Sequence, residues 1–212
     1  MTRDLGDLGY GCDDANPYDH CGSSGAAAIN ERGQIVGSAT ATSGLTRAAI
    51  WEPGSGVAQD LGFGTGNSAA IAINERGQIA GNGGDAGSTD GATVGFFRDA
   101  DGTITSIGSL GGGVTRVVAM NNAGTITGWS RTGSGEMHAF VWGRATGMID
   151  LGLGPFGAPG VAAVPVAIND GGDVTGYVVP CRTYNGRCYP DASGPVRAVL
   201  WRSTRSGSIA QR

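Results

Sequence analysis

Apolar residues along this chain fall in short runs bounded by Gly, Asn, Asp and Pro, and nowhere take up the 3.6-residue period of a helix. The pattern predicts strands, and it repeats. Ala-Ile-Asn-Glu-Arg-Gly-Gln-Ile-Val-Gly at 28–37 returns at 72–81 with Ala for Val. It returns again as Ala-Met-Asn-Asn-Ala-Gly-Thr-Ile-Thr-Gly at 119–128 and Ala-Ile-Asn-Asp-Gly-Gly-Asp-Val-Thr-Gly at 167–176. The repeat asparagines are Asn30, Asn74, Asn121 and Asn169, spaced 44, 47 and 48 residues apart. A second block follows each copy, at 47–51, 95–98, 138–142 and 197–201. A third, Asp-Leu-Gly, stands at 60–62 and 150–152, with Ile107-Gly108 a weaker copy. A ten-residue block does not recur four times by chance.

Each repeat reads as two hairpins. Asn30 to Gly33, and its three counterparts, suits a type I turn with the Asn side chain capping the first position and Gly at φ > 0 in the fourth. The second hairpins turn at 53–56, 99–102, 144–147 and 204–207, again with Gly last. Glycines at such turns, Gly33, Gly77 and Gly124, are expected to tolerate Val worse than the loop glycines Gly87 and Gly135.

Four strands in about 45 residues is the size of a propeller blade. The expected fold is therefore all-β: one domain over 1–212, a β-propeller of four four-stranded blades at 25–62, 68–110, 115–152 and 162–212 plus 1–9. The fourth repeat lacks Asp-Leu-Gly after Gln211, and the motif stands twice at 4–9. The N-terminal strand is thus expected to close the ring by completing the fourth blade, leaving no free strand edge.

His138-Ala139-Phe140, followed by Trp142, together with Ala-Ile-Asn-x-x-Gly and Asp-Leu-Gly, resembles the HAF-type extracellular repeat family, named for that tripeptide. The other copies depart from it, with Arg47-Ala48-Ala49, Val94-Gly95-Phe96 and Arg197-Ala198-Val199 in the slot. The resemblance implies a secreted or surface protein and supplies no catalytic residues. With His in one copy of four, a shared His chemistry is not expected.

Composition narrows the function. The basic residues are all Arg, so a Walker-type lysine, a Schiff base and a catalytic Lys are excluded. A net charge of −4 offers no footprint for nucleic acid. No apolar run reaches membrane-spanning length, so no membrane insertion is expected, and no apolar h-region follows Met1, so neither is a signal peptide.

The tight repeated turns share one end of the strands. The other end carries the length variation, in loops at 10–24, 39–46, 83–93, 130–137, 154–161 and 178–196. Variable loops on a rigid scaffold are where binding usually lives. All four cysteines lie there. Four allow three pairings; Cys12–Cys21 and Cys181–Cys188 are favoured as local staples, with cross-pairs and a zinc site as rivals. Asp13, Asp14 and Asp19 crowd one loop and are candidate calcium ligands, calcium being the one cofactor considered; the alternative is a solvated acidic loop. Trp129, Tyr177, Tyr18, Tyr184 and Tyr189, with Arg182, are candidate binding residues for a glycan or protein partner, against blade packing for Trp129 and Tyr177. Trp51, Trp142 and Trp201 recur at one repeat position and read as core.

The expected function is a non-catalytic extracellular or cell-surface binding module using the loop face. One alternative is a structural subunit that self-associates by donating its N-terminal strand to a neighbour. Another is a secreted hydrolase drawing on the loop carboxylates Glu136, Asp85 and Asp90, or on His20 or His138, although no nucleophile elbow is present.

Overall fold

The computed structural model describes residues 2, 4–9, 22–84, 93–154, 160–203 and 209–211, the last three by backbone alone. The described chain is strand and turn without an α-helix. Its strands are β1 (Ser24–Ile29), β2 (Ile35–Thr40), β3 (Thr46–Trp51), β4 (Ala58–Asp60), β5 (Ser68–Ile73), β6 (Ile79–Gly83), β7 (Val94–Arg98), β8 (Ile104–Ser106), β9 (Gly111–Met120), β10 (Ile126–Thr132), β11 (Met137–Gly143), β12 (Gly147–Gly152), β13 (Val161–Ile168), β14 (Val174–Tyr184), β15 (Arg187–Pro190), β16 (Arg197–Ser203) and β17 (Ile209–Gln211). They form four four-stranded sheets in the orders β1-β2-β3-β4, β5-β6-β7-β8, β9-β10-β11-β12 and β13-β14-β16-β17, with β15 added to β14. One sheet falls on each of the four repeats. The chain divides into two compact units, Met1–Ala92 with Phe96–Thr105, and Thr93–Gly95 with Ser106–Arg212.

The repeat asparagine does more than cap its turn. Asn30 Oδ1 accepts the N–H groups of Arg32 and Gln34 at 3.1 and 3.0 Å. Gly33, at φ 76°, closes the hairpin by donating to the Asn30 carbonyl at 2.9 Å. The Asn30 amide nitrogen then reaches into the second blade and donates to the Asn74 carbonyl at 3.2 Å. In the second unit Asn121 does the same to the Asn169 carbonyl at 2.9 Å. Beside these bonds the Glu31 N–H donates to the Glu75 carboxylate, and the Asn122 N–H to Asp170. Asn30, Asn74 and Asn121 are buried, and a buried amide needs its partners.

The glycine that ends the repeat block has a different cause. In every blade the inner pair carries a β-bulge, at Ala27, Ile71, Val118 and Val166. Opposite it, a Cβ on Gly37, Gly81, Gly128 or Gly176 would stand 2.0–2.4 Å from a carbonyl oxygen of the inner strand. No side chain fits there, so the spacing of bulge and glycine is held by sterics.

Asp-Leu-Gly plugs the space between one blade and the next. Asp60 Oδ1 accepts the Gly62 N–H at 2.8 Å, and Asp150 Oδ1 that of Gly152 at 2.7 Å, which turns the chain and aims the Leu at the next blade. Leu61 is buried among Val36, Ala48 and Ile50 of the first blade and Ala70, Ile79 and Phe96 of the second. Leu151 is buried between Ala139 and Val141 of the third and Ala163, Val174, Val199 and Trp201 of the fourth. Trp51, Trp142 and Trp201 are core.

The N-terminal segment corrects an expectation. It does not complete the fourth blade, whose outer position is taken by β17 on β16. Asp4 and Asp7 make the same turns onto Gly6 and Gly9. Leu5 and Leu8 pack on the first blade against Ala39, Ala49, Trp51 and Ala58. Leu8 and Gly9 bridge Ala41, and the Trp51 indole donates to the Gly6 carbonyl. Burial of the two leucines against this apolar cluster stabilises the seating.

Replacing Asn121 by Asp keeps the turn acceptor but sets a carboxylate against the Asn169 carbonyl. We expect Asn121→Asp to cost about 1–3 kcal/mol. Asn169→Asp, at an exposed copy, should cost well under half of that. Urea midpoints of the two variants check this, and equal midpoints would remove the inter-blade bond from the stability account.

Candidate functional site

The described residues place the richest chemistry at one end of the second unit, on an element the sequence pattern did not disclose as such. Residues 178–196 were expected as loop. Instead β14 runs on to Tyr184 and turns back as β15, with Tyr184 facing Arg187 across the two-residue turn Asn185-Gly186. Asn185 and Gly186 have φ of 48° and 70°, the type I′ geometry that Asn-Gly favours. That dipeptide was the overlooked signal.

Cys181 and Cys188 form a disulfide across this hairpin, with Cα atoms 5.3 Å apart. The favoured local pairing holds there; Cys12 and Cys21 lie outside the described residues. Cys188, Met137, Ala162 and Val179 form a buried cluster, and Trp129, Tyr177 and Cys181 pack half-buried against it. Trp129 and Tyr177 therefore support the hairpin from below.

A second anchor is Arg131, which sequence reasoning missed. Its guanidinium donates to the carbonyls of Cys188 at 2.8 Å and Gly135 at 3.2 Å, and lies 4.9 Å from the centre of the Tyr189 ring. Burial lowers its pKa from the ordinary value, which the Tyr189 side chain opposes and Arg187 reinforces. Gly135 corrects the expectation that it tolerates Val better than the turn glycines Gly33, Gly77 and Gly124. It sits at φ 88° in a turn closed by Thr132, and a Cβ on it would stand 2.1 Å from the Gly186 carbonyl oxygen. The connection between β10 and β11 is thus a tight turn like those at the opposite end, and so is that between β2 and β3, closed by Ala41 and Leu45.

The hairpin leaves Tyr184 at its tip 69% exposed and Tyr189 at its edge exposed. Arg182 pairs with Asp191. Ser193, through its hydroxyl and N–H, and then Arg182 hold the Asp191 carboxyl at about 2. Behind the hairpin a groove of about 330 Å³ is lined by Val161, Val178, Val179, Pro180, Pro195 and Arg197. Of the remaining candidates, Tyr18, Asp13, Asp14, Asp19, Asp85, Asp90 and His20 lie outside the described residues. Among those described, no group of three His, Cys, Asp or Glu side chains could hold a metal.

His138 has a structural partner. Its Nδ1 lies 2.9 Å from Asp150, the Asp of Asp-Leu-Gly, and its Nε2 lies 3.8 Å from Glu136 without a hydrogen-bond partner among the described residues. No hydroxyl nucleophile of the described residues meets that nitrogen. In the first blade the same positions hold Arg47 and Asp60, paired at 3.0 Å. In the second, both are absent, replaced by Val94 and Ser106. The tripeptide His is therefore one choice of cation for a cross-strand pair.

No protein-family model matches the chain, and no curated protein does. Among solved structures it is similar to one described as putative TolB from Agrobacterium tumefaciens, at a TM-score of 0.58 and 14% identity, over 86% of this chain and 62% of that one. It is also similar to TolB from Acinetobacter baumannii, at 0.48 and 12%, over 84% of this chain and 46% of that one. The chain spans less than two thirds of either. The first likeness bears out the β-propeller fold.

The Asp150 hydrogen bond raises the His138 pKa above 6.5; burial opposes this, and the Asp150 and Glu136 charges add to it. Burial would raise the Asp150 carboxyl, but the His138 and Gly152 hydrogen bonds and the His138 charge bring it below 3.8. The His contribution is complete below its unfolded pKa and is lost as pH rises through the folded one. The Asp contribution is lost at the acid end, as pH falls through its lowered folded value. His138→Arg should hold its pair through the alkaline side, as Arg47 does. Between about pH 6 and pH 8.5 the native protein should lose about 0.5–1 kcal/mol relative to this variant. Melting curves that diverge with rising pH would show it, and parallel pH profiles would refute it.

Proposed function

We propose that this chain is a non-catalytic binding module of an oxidising, extracytoplasmic compartment, and that it holds a protein partner on the stapled β14–β15 hairpin and the groove behind it. The observation that carries this is the rigid presentation of exposed side chains. A disulfide, the Arg131 bonds and the backbone seat on Gly135 hold Tyr184 and Tyr189 in place before a partner arrives, which cuts the ordering cost of association. Exposed tyrosines beside Arg are the usual anchors of protein interfaces. Apolar Val and Pro side chains supply most of the groove lining, so it suits an apolar side chain better than sugar hydroxyls. The disulfide supports an oxidising compartment, as does the resemblance to extracellular HAF-type repeats.

A photo-crosslinking residue tests the surface. Tyr184→p-benzoylphenylalanine should form a protein adduct in the native extracytoplasmic fraction, and paired Cys181→Ser and Cys188→Ser replacements should reduce its yield about ten-fold. The same probe at Ala145, in the turn at the opposite end of the third blade, should form none. Retention on polysaccharide with no protein adduct would replace the protein partner by a glycan. Equal adducts at both positions would remove the hairpin as the site.

A further inference from the structure

The formal net charge of −4 conceals a division of charge along the chain. The second unit, Thr93–Gly95 with Ser106–Arg212, holds nine Arg against five Asp and Glu, whereas the first holds five against thirteen. Two of those five acids, Asp170 and Asp173, belong to the tight turn after β13. Asp150 is engaged by His138, and Glu136 by the Ser134 hydroxyl beside the same imidazole. Asp191 is left for the hairpin and its groove, which carry Arg131, Arg182, Arg187 and Arg197.

The pairing registers join the groove and the arginines into one strip. Side chains two apart on a strand share a side, and so do directly opposed residues of paired strands. Val178 and Pro180 therefore lie on the same side of β14 as Arg182 and Tyr184. Arg197 stands opposite Val178 and Val161 opposite Pro180, and all four line the groove. Further along, Tyr189 stands opposite Arg182 and Arg187 opposite Tyr184. The strip thus passes from apolar groove to alternating Tyr and Arg, over about 20 Å from Val178 to Tyr184 at about 3.3 Å per residue. Cys181 and Cys188 take the other side, in the buried cluster.

The arginines of this strip are short of carboxylates. Arg182 pairs with Asp191 through its Nε, and its side chain is still 78% exposed. Arg187 pairs with no carboxylate among the described residues. Arg131 donates to two neutral carbonyls and lies against the Tyr189 ring, and Arg187 is near enough to help lower its pKa. Like charges that the fold holds together draw an opposite charge from outside.

We infer that the partner held by the hairpin presents an acidic segment: an extended stretch that seats one apolar side chain in the groove and brings Asp or Glu carboxylates, within about six residues of it, onto Arg182 and Arg187. This rests on the reading of the hairpin as a protein-binding surface and names the chemistry that surface selects. The guanidinium fork takes a carboxylate through two N–H groups, and the tyrosine beside each Arg keeps water from the pair. A nucleic acid would match the charge but brings no aliphatic side chain to the groove.

Selection of displayed random dodecapeptides on the immobilised full chain tests it. Enriched peptides should carry two or more Asp or Glu within about six residues of a Leu, Ile, Val or Phe. A fluorescein-labelled copy of one of them should bind the double variant Arg182→Gln, Arg187→Glu about ten-fold more weakly than the native chain, and should weaken as salt rises from about 0.05 to 0.5 M. The variant should keep its far-ultraviolet circular dichroism and melting behaviour, because Arg187 has no ion pair to lose. Enrichment of neutral or basic peptides, or an affinity indifferent to the two replacements, would overturn the inference. So would an oligodeoxythymidine that binds as tightly with the same dependence on the two arginines. The Tyr184 crosslink separates this inference from the reading beneath it. A protein adduct of undiminished yield in the Arg182→Gln, Arg187→Glu background would keep the protein-binding hairpin and overturn the acidic segment. Acidic peptides that depend on both arginines, with no adduct in the native background, would uphold the acidic specificity and remove the extracytoplasmic protein partner.

Discussion

Blade stacking rests on one asparagine amide. Its oxygen holds two N–H groups of its own turn, and its nitrogen donates to the carbonyl of the same asparagine one blade further on. The turn conformation and the blade spacing are therefore set by the same side chain. If the turn relaxes, the amide plane rotates and the inter-blade bond is lost. If the blades slide, a buried amide is left unpaired at a cost comparable to a hydrogen bond or more. Gln in place of Asn would move the donor by a methylene and satisfy only one of the two demands. Both demands act on Asn30 and Asn121, while the turn alone acts on Asn169, and the neighbours vary from Glu-Arg to Asn-Ala and Asp-Gly.

The bulge and its glycine supply the other constraint. The extra residue on each inner strand brings a carbonyl oxygen so close to the second strand that only Gly fits opposite. The bulge also changes which side chains face forward. Ala28 and Val36 meet the next blade because the register shifts between Ala26 and Ala28. Thus the ten residues of the repeat block encode a turn, an inter-blade bond and a twist. The leucine of Asp-Leu-Gly then fills the space that the twist leaves between blades. A repeat with so many local requirements keeps its sequence where others drift, and that is why it could be read at all.

Legibility followed these requirements. Turns, strand order and the buried tryptophans were readable because Asn, Gly and Trp recur where backbone geometry or volume demands them. The fate of the N-terminus was not, because Asp-Leu-Gly serves two neighbours: it ends one blade and plugs the next. Counting motifs points to the fourth blade, whereas the apolar face around Trp51 captures Leu5 and Leu8 for the first. The hairpin was legible in principle from Asn185-Gly186, but it occurs in one repeat only and so had no counterpart to reveal it. Arg131 and Gly135 had no sequence signal, since their importance arises from the hairpin folding back onto them.

The His138 slot separates scaffold from function. A histidine near two carboxylates invites a catalytic reading. Comparison between copies within the chain argues against it, because Arg47 makes the same pair with Asp60 and the second blade omits both partners together. A residue that can be exchanged for Arg, or lost together with its partner, is held there by charge compensation. Chemistry at that nitrogen would not survive the exchange. The features that occur once, the stapled hairpin and its Arg131 anchor, are the ones the repeat does not require. Nothing in blade stacking explains a disulfide, a type I′ turn and two exposed tyrosines at the same end of one blade.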